Sequence, residues 1–487
     1  MLRTATLAVA LAGTVLLAGC ASSKGLATHE HLRDAASLHS QQTLAGTPLS
    51  AAAWPSARWW SAFGDPQLNA LMEEALAGAP SLAAADARAR KAQAQAGLAD
   101  AARKPTLGGS AQVLGMQLPQ TLAGNELGGK FQVADLLMLS FKYSPDLWGK
   151  DNAKWQAAVG NAHAAEVDAQ AARLSLTANI ARTYIALAQA FDLQSVAQAE
   201  HTRAEALVLL DQQRVKAGVD NGIALAQHQS MAAGAQQQVQ AAQQHIDQLR
   251  TALAMLVAAG PDRGLAITRP QLAQSALAIP ASLTSDLLAQ RADLVAARWR
   301  VEAAQHGIDA SKAAFYPSLN LSALAGLAAG NLGDLFGNKA LLLNGGPALS
   351  LPIFEGGQLR NQLRASQADA DLAVANYNQT LLSAIHDVAD AVQTARTLDA
   401  QIATTTQART AAATAFSNVQ QRQRAGLASR LDSLNAQKPV LQLEQQLATL
   451  VAARRSASVD LDQALGGGIA IEASISPDAA AQTTASK

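Results

Sequence analysis

The chain has 487 residues, a length that allows about two to four ordinary domains. Its 37 Lys and Arg residues balance 37 Asp and Glu residues, so the net charge gives no support to a nucleic-acid or other polyanion partner. Only 4% of the residues are aromatic, whereas 49% are hydrophobic. Because aromatic side chains are the usual bulky fillers of a globular core, this composition predicts long helices that pack closely through small side chains.

The N-terminal sequence MLRTATLAVALAGTVLLAGC has the order of an export signal, with a positive charge at Arg3, an apolar stretch and small residues before Cys20. The apolar stretch is too short to span a bilayer, which favours a cleaved signal. Leu17 to Cys20 resembles the lipobox of bacterial lipoproteins. That resemblance implies that Cys20 becomes a lipidated first residue, anchored in the outer membrane. An ordinary signal with a chance cysteine is the alternative.

Changes of periodicity divide the chain into six predicted segments. They are an export signal at 1–19, a lipidated extended segment at 20–65, a first repeat at 66–260, a linker at 261–285, a second repeat at 286–466 and a partly disordered tail at 467–487. Caps, prolines and glycine clusters set these boundaries.

The first repeat begins at Asp65-Pro66, a helix-start signal in which Asp caps the helix and Pro occupies its first turn. Period-2 alternation then predicts strands around residues 107–113 and 137–143. From Lys150 to about Gln213 no proline or turn cluster occurs, which predicts a helix on the order of 95 Å, then a turn and a returning helix. A helix of that length needs neighbouring helices to bury its apolar residues.

The second repeat has the same landmarks in the same order. The pairs, first repeat then second, are Leu82 and Leu294, Pro105 and Pro317, Pro145 and Pro352, Gly149 and Gly356, Arg214 and Arg422, and Gly218 and Gly426. A glycine-rich loop is expected before a last strand around residues 349–353. The common order predicts a duplicated unit of helix, strand pair and long helical hairpin.

The predicted strands leave two readings open. Each repeat offers two strands, and four strands cannot close a barrel by themselves. In lipid an open sheet leaves backbone groups unpaired at several kcal/mol each, so several chains must share one barrel if the strands enter the membrane. A small soluble sheet that caps a coiled coil explains the alternation equally well.

Several stretches resemble the outer membrane factor family, the TolC-like exporters, in its lipoprotein branch of NodT/OprM-like efflux channels. They are LLAGC, WWSAFGDPQLNALMEEAL, RADLVAARWRVEAAQHGIDASKAAFYPSLNL, GPALSLPIFEGGQLRNQLRASQADADLAVANYNQTLL and LDQALGGG. The resemblance covers nearly the whole mature chain. It implies a mainly α protein with a small β part, and a homotrimer whose strands form a shared twelve-stranded outer-membrane barrel. It also implies an α-helical barrel in the periplasm, a periplasmic adaptor and an inner-membrane pump that supplies the energy.

The resemblance assigns roles to two groups of residues. The strand-to-helix joints are Pro145, Gly149, Pro352, Gly356 and Gly357. The adaptor-docking tips are Arg214, Gly218, Arg422, Gly426 and Ser429. Asn221 stands where the first tip needs a small hydroxyl residue, so docking there is less secure. Helix C-terminal charge is the alternative role of both arginines. No acidic residue lies between Asp399 and Asp432, so no gate residue carries over.

The sequence gives little support to a metal site or to an enzyme active site. His29-Glu30-His31, with His39 nearby, could bind zinc or copper, but solvated side chains are the simpler reading. The sequence has no HExxH, GxSxG, phosphate loop or nucleotide-binding glycine pattern. Asp387 and Asp390 lie on a long helix and are expected to be solvated or to face a lumen.

Three hypotheses follow from these patterns. The chain is a passive outer-membrane exit duct of an efflux system, a coiled-coil lipoprotein scaffold that spans the periplasm, or an envelope enzyme. The duct is favoured, with no enzyme activity, no metal and no cofactor other than the covalent lipid on Cys20. Outer-membrane lipid is then a partner, and nucleic acid is not.

Overall fold

The computed structural model describes residues 25–38, 42–46, 54–117, 131–274 and 290–468, and the single residues 119, 121, 129 and 279. The export signal, Cys20 and His39 lie outside these residues. Contacts divide the chain into two compact units. The first, the sheet unit, contains the described residues up to Leu32, Ala89–Ala165 and Ala297–Tyr377; the second, the hairpin unit, contains Arg33–Arg88, Glu166–Ala296 and the residues from Asn378 onward. Each unit draws residues from both repeats.

The regular elements alternate between helices and strand pairs, as the repeat predicts. The α-helices are α1 Pro66–Gly78, α2 Pro80–Ala101, α3 Lys150–Lys216, α4 Ile223–Leu256, α5 Asp262–Leu265, α6 Ala292–Ala313, α7 Gln358–Arg424 and α8 Arg430–Ala464. The strands are β1 Thr106–Gln117, β2 Phe131–Tyr143, β3 Ser318–Ala329 and β4 Leu341–Ser350. Among the helices of the described residues, none combines the length and hydropathy needed to cross a bilayer.

Local signals set the helix boundaries where the sequence predicts them. The Asp65 side chain accepts a hydrogen bond from the Gln67 N–H, and Pro66 occupies the first turn of α1. The two long helices α3 and α7 each have 67 residues and end in a turn that carries arginine. A cation in the last turn is favourable beside the helix dipole.

The four strands form one antiparallel sheet in the order β1-β2-β3-β4. The β1–β2 and β3–β4 hairpins come from the first and second repeats, and β2 pairs with β3 between the repeats. The prediction of four strands, two in each repeat, is confirmed.

The prediction for the last strand was wrong in its position. A glycine-rich loop was expected before a strand at 349–353, but β4 runs from Leu341 to Ser350 and contains the glycines. A Cβ at Gly345 would lie 2.8 Å from the Cα of Ala323 on β3, so this glycine permits a close approach of the two strands. Pro347 lies in β4, an edge strand of this four-stranded sheet, which is the usual place for a strand proline.

The core of the hairpin unit contains the aromatic cluster that precedes α1. Trp59, Trp60 and Phe63 are buried together with apolar residues of α1 and the middle of α3. Asp65 is also buried, and its Oδ2 accepts hydrogen bonds from the Tyr184 hydroxyl and the Gln271 N–H, both at 2.8 Å. The WWSAFGDP motif is therefore a packing and capping element of this unit.

In the sheet unit, small residues allow helices to approach closely. A Cβ at Gly160 of α3 would lie 3.1 Å from the Cβ of Ala303 and 3.3 Å from the carbonyl oxygen of Trp299, both on α6. This contact confirms the expectation that the helices pack through small side chains.

Candidate functional site

One face of the sheet is almost entirely apolar. Residues that pair directly across an antiparallel sheet point to the same side, and the register places odd-numbered residues of all four strands together. The apolar members of this face are Leu107, Ala111, Val113, Phe131, Val133, Leu137, Leu139, Phe141, Leu319, Leu321, Ala323, Ala325, Leu327, Ala329, Leu341, Leu343, Pro347 and Leu349.

This apolar face is exposed. Leu107 is 73% exposed, Phe131 is 69% and Leu349 is 71%. Soluble monomers rarely expose a continuous apolar patch of this size, and such patches mark membrane or protein contacts. Asp135 is the acidic exception on this face, and it is buried.

The opposite face is mixed and becomes polar toward the helices. Its members near the helical ends of the strands are Thr106, Ser110, Gln112, Ser140, Lys142, Ser318, Asn320, Ser322, Asn344 and Ser350. Leu114, Met116 and Leu136 lie further along the same face. One side of the sheet thus suits hydrocarbon, and the other can face water over part of its length.

The outer sides of β1 and β4 are the open edges of the sheet, because no further strand of the described residues pairs with either. Unpaired edges offer backbone N–H and C=O groups to another strand. Apart from Pro347, which lacks an N–H, both edge strands keep these groups. The sheet is therefore able to extend on both sides.

At the first joint, β2 ends at Tyr143 and α3 begins at Lys150. Gly149 has φ +74°, a left-handed conformation that favours glycine. The Asp146 carboxylate accepts a hydrogen bond from the Asn152 N–H at 2.7 Å and so satisfies a free amide of the first helical turn. Pro145 lies between the strand and this turn.

The second joint has the same design with different residues. Pro352 lies beyond the end of β4, and Gly356 and Gly357 have φ +55° and +87° before α7 begins at Gln358. A Cβ at Gly356 would meet nothing within 4 Å, so the backbone conformation alone requires glycine there. The expectation that the strand continues to Ile353 was wrong, since β4 ends at Ser350.

An aromatic contact links the first joint to the second repeat. The sequence analysis did not predict this contact. The Trp148 ring stacks on Tyr316 with centroids 4.8 Å apart, and its Nε1–H donates to the Pro317 carbonyl at 2.7 Å. The Ser144 hydroxyl donates to the Leu319 carbonyl at 3.1 Å. The only sequence signal was a tryptophan directly before a joint glycine.

Both helical hairpins end in the same capping motif at their tips. The Val219 N–H donates to the Arg214 carbonyl and the Leu427 N–H donates to the Arg422 carbonyl, each across five residues. Gly218 and Gly426, with φ +73° and +74°, occupy the left-handed position that this motif requires.

The two tips differ in how the returning helix is capped. In the second tip the Ser429 hydroxyl accepts the Asp432 N–H, and the Asp432 carboxylate accepts the Ser429 N–H, which is a capping box. The Ser429 hydroxyl also donates to the Asp432 carboxylate at 2.7 Å. This hydrogen bond, then the one from the Ser429 N–H and the charge of Arg422, lower the pKa of Asp432. In the first tip the Asn221 side chain accepts the Ile223 N–H at 3.2 Å.

Arg214 in the first tip lies 3.2 Å from Asp220. Its position in the last turn of α3 also fits the alternative of a charge beside the helix dipole. Exposed apolar side chains, Val219 and Leu427, flank the two tip glycines.

Several other charged residues form ion pairs. Asp387, which was expected to be solvated or to face a lumen, pairs with Arg291 at 3.0 Å, although half of its side chain is exposed. Arg182 pairs with Asp460 at 2.6 Å. The residues of both pairs line one cavity of about 380 Å³ in the hairpin unit. In the described part of the chain no group of three or more His, Cys, Asp or Glu residues could hold a metal ion, so the option at His29-Glu30-His31 gains no ligand set.

Comparisons with known proteins agree with this geometry. A sequence model described as outer membrane efflux protein matches residues 71–259 and 283–467. The fusaric acid resistance protein FusA of Burkholderia cepacia is 36% identical over 74% of this chain and 69% of its own length. The multidrug resistance outer membrane protein MdtP of Escherichia coli strain K12 is 32% identical over 94% of this chain and 95% of its own.

Solved structures show the same fold. The outer membrane protein VceC of Vibrio cholerae superposes with a TM-score of 0.77 at 36% identity, over 85% of this chain and all of VceC. The CmeC outer membrane channel of Campylobacter jejuni gives a TM-score of 0.82 over 96% of this chain and 98% of CmeC, at 23% identity. The favoured duct hypothesis is thereby confirmed over the scaffold and the enzyme. The chain belongs to the outer membrane efflux protein family and is an exit duct of the outer membrane, not an enzyme.

Proposed function

We propose that three copies of this chain close one twelve-stranded barrel in the outer membrane by pairing β1 of each copy with β4 of the next. The observation that carries this proposal is the four-stranded sheet with an exposed apolar face and two open edges. The apolar face contacts lipid, and the mixed face lines the duct. Small molecules leave the cell through the interior.

The cost of unpaired backbone groups in lipid supports closure between copies. Each unsatisfied group in hydrocarbon costs several kcal/mol, and the edges of β1 and β4 carry many. Known single-chain membrane barrels begin at about eight strands, so four strands need partner copies. The strands have 12, 13, 12 and 10 residues, enough for the roughly 9–11 that a tilted membrane strand needs. The family resemblance implies three copies.

The long helices of the three copies continue the duct into the periplasm as an α-helical barrel. A periplasmic adaptor docks at the tips through Arg214, Gly218, Arg422, Gly426 and Ser429, and an inner-membrane pump supplies the energy. The repeated capping motif supports this role, because it presents two tips with the same backbone geometry. Ser429 contributes chiefly by fixing that geometry, since its hydroxyl is engaged with Asp432.

Cys20 is the lipid attachment site, and its acyl chains are the sole covalent cofactor. Several acyl chains anchor a protein firmly, because each buried CH₂ contributes about 0.8 kcal/mol. Labelled palmitate is expected to enter the wild type but not Cys20→Ser. Equal labelling of both proteins would refute the anchor.

Disulfide cross-linking between edge strands tests the shared barrel. Cys20 is the only cysteine in the sequence and is blocked when lipidated, so Gln112→Cys in β1 can be combined with single cysteines along β4, at Leu342, Asn344 and Gly346. We expect at least one pair to give covalent species that end at the trimer. The matched control pairs Ser140→Cys with Leu324→Cys, which face each other within one copy and give no ladder.

Conductance provides the functional measurement. The purified protein is expected to be a trimer that is stable in mild detergent and sensitive to SDS, and to conduct ions in planar bilayers. A monomer without conductance, or the absence of any ladder from β1–β4 pairs, would overturn the shared barrel.

A further inference from the structure

The N-terminal strap, residues 25–32, lies in the sheet unit and forms neither helix nor strand. Its residues are exposed except Leu26, which packs against the apolar cluster of Ile308, Phe315, Leu363 and Ala370. A cavity of about 660 Å³ is lined by the strap and by residues of α6 and α7. The strap therefore bridges part of the helix surface instead of packing along all of it.

Asp371 of α7 holds the middle of the strap. One carboxylate oxygen, Oδ1, accepts hydrogen bonds from two successive backbone amides, His29 N–H at 2.9 Å and Glu30 N–H at 3.0 Å. Hydrogen bonds to a charged acceptor are about twice as strong as neutral ones. The Glu30 amide, then the His29 amide and the nearby His29 and His31 side chains, lower the pKa of Asp371.

The strap runs parallel to α7, toward the joint at its N-terminal end. Leu26 contacts the cluster that contains Leu363 and Ala370, whereas the next attachment, at His29 and Glu30, is to Asp371. At 1.5 Å per residue, the Leu363–Ala370 segment lies roughly 8–18 Å from the start of α7. From Glu30 back to Leu26, the strap therefore runs toward the start of α7, where the helix joins the sheet.

The length of chain before Leu26 matches this distance. Six residue steps separate Cys20 from Leu26, and an extended chain of that length reaches about 20 Å. This reach exceeds the distance to the start of α7 by about 2–12 Å, depending on which part of the Leu363–Ala370 segment Leu26 contacts. A tether with three residues fewer would reach about 10 Å, which is less than most of the roughly 8–18 Å between the Leu363–Ala370 segment and the start of α7.

We propose that Asp371 is a clip that fixes the lipid-anchored N-terminus to α7 and so sets the length of the tether between the membrane and the channel body. This inference rests on the proposed lipidation of Cys20. Through the clip, the lipid anchor is connected to α7 at the His29 and Glu30 amides. A loose N-terminus would leave the anchor free of the channel.

Hydrogen–deuterium exchange of the full-length protein in detergent tests the clip itself. In Asp371→Ala the amides of His29 and Glu30 are expected to exchange roughly tenfold faster or more than in the wild type. Asp369→Ala is the matched control, because Asp369 is exposed on the same helix and its carboxylate is not bonded to the strap. Equal exchange in all three proteins would overturn the clip.

A shortened tether tests its function. Deletion of Ser22–Lys24 keeps Cys20 and Ala21 but removes the slack, so we expect several-fold fewer outer-membrane trimers. Asp371→Ala is expected to restore trimers to the deletion variant, whereas Asp369→Ala is not. Palmitate labelling is measured in every variant, so that faulty lipidation is seen directly.

The outcomes separate the two proposals. Labelled protein in which the deletion has no effect, or is not rescued by Asp371→Ala, overturns the tether and leaves the lipid anchor standing. Unlabelled wild type overturns the anchor and the tether together, while hydrogen exchange still decides whether Asp371 holds the strap.

Discussion

Replacing Asp462 by asparagine is expected to stabilise this protein above neutral pH. Asp462 lies in the last turn of α8, where a negative charge opposes the helix dipole. Its carboxylate has no ion pair within the described residues, whereas Asp460, two positions earlier, pairs with Arg182. Burial raises the pKa of Asp462 from 3.8 to about 7.

The sign of the effect follows from proton binding. Below pH 3.8 the carboxyl is protonated in both the folded and the unfolded protein, and no stability is lost. Between that value and about 7 the unfolded chain releases the proton and the folded chain keeps it, so stability falls as the pH rises. The full shift corresponds to about 4 kcal/mol, and the loss is complete above about pH 7.

Asparagine mimics the neutral acid and does not titrate, so Asp462→Asn avoids this loss. Thermal unfolding in detergent, followed by circular dichroism, measures the difference in Tm between the variant and the wild type at several pH values. At roughly 1–2 °C per kcal/mol for a chain of this size, the difference is expected to grow from near zero at about pH 4 to about 4–8 °C at about pH 8.

Asp460→Asn is the matched control for this measurement. Its ion pair with Arg182 is partly exposed, so the loss is expected to be below about 1 kcal/mol and of the opposite sign at neutral pH. A difference between Asp462→Asn and the wild type that stays constant from acid to neutral pH would refute the reasoning.

Two further predictions concern the second joint and the core of the hairpin unit. Gly356→Val forces a branched side chain into φ +55° at a cost of about 1–3 kcal/mol, and should lower the yield of trimers while the helical circular dichroism stays unchanged. Gly234→Ala, at a helix glycine whose added Cβ meets nothing within 4 Å, is its control, and normal trimer yield from Gly356→Val would show that the joint tolerates strain. Tyr184→Phe removes a buried hydroxyl that donates to Asp65, and should cost about 1.5–3 kcal/mol, measured as a lower Tm. Tyr316→Phe, at an exposed tyrosine, should change the Tm little, and equal losses from the two variants would contradict the role of the buried hydrogen bond.

Features encoded in a few neighbouring residues were predictable from the sequence. Asp65-Pro66 starts α1, and the glycines at 149, 218, 356 and 426 mark the ends of strands or helices. These signals act through local hydrogen bonds and backbone conformation, so the sequence alone contains the information. The two 67-residue helices followed from the lack of interruptions between such signals.

The position of β4 was not predictable in the same way. Glycine usually marks a loop, but Gly345 lies in a strand because β3 approaches too closely for a Cβ. That requirement comes from the partner strand and not from the residues beside Gly345. The same holds for the stack of Trp148 on Tyr316, which joins residues from different repeats.

Sequence patterns alone predicted the repeat, the helix ends, the number of strands and the resemblance to a family. The tertiary structure decided which residues share a face of the sheet, which edges stay open, and that Asp371 holds a segment 342 positions away. Caps and periodicity depend on neighbours within one or two turns, and therefore appear in the sequence. Contacts between distant residues depend on how whole elements pack, so they become visible only when the elements are placed together.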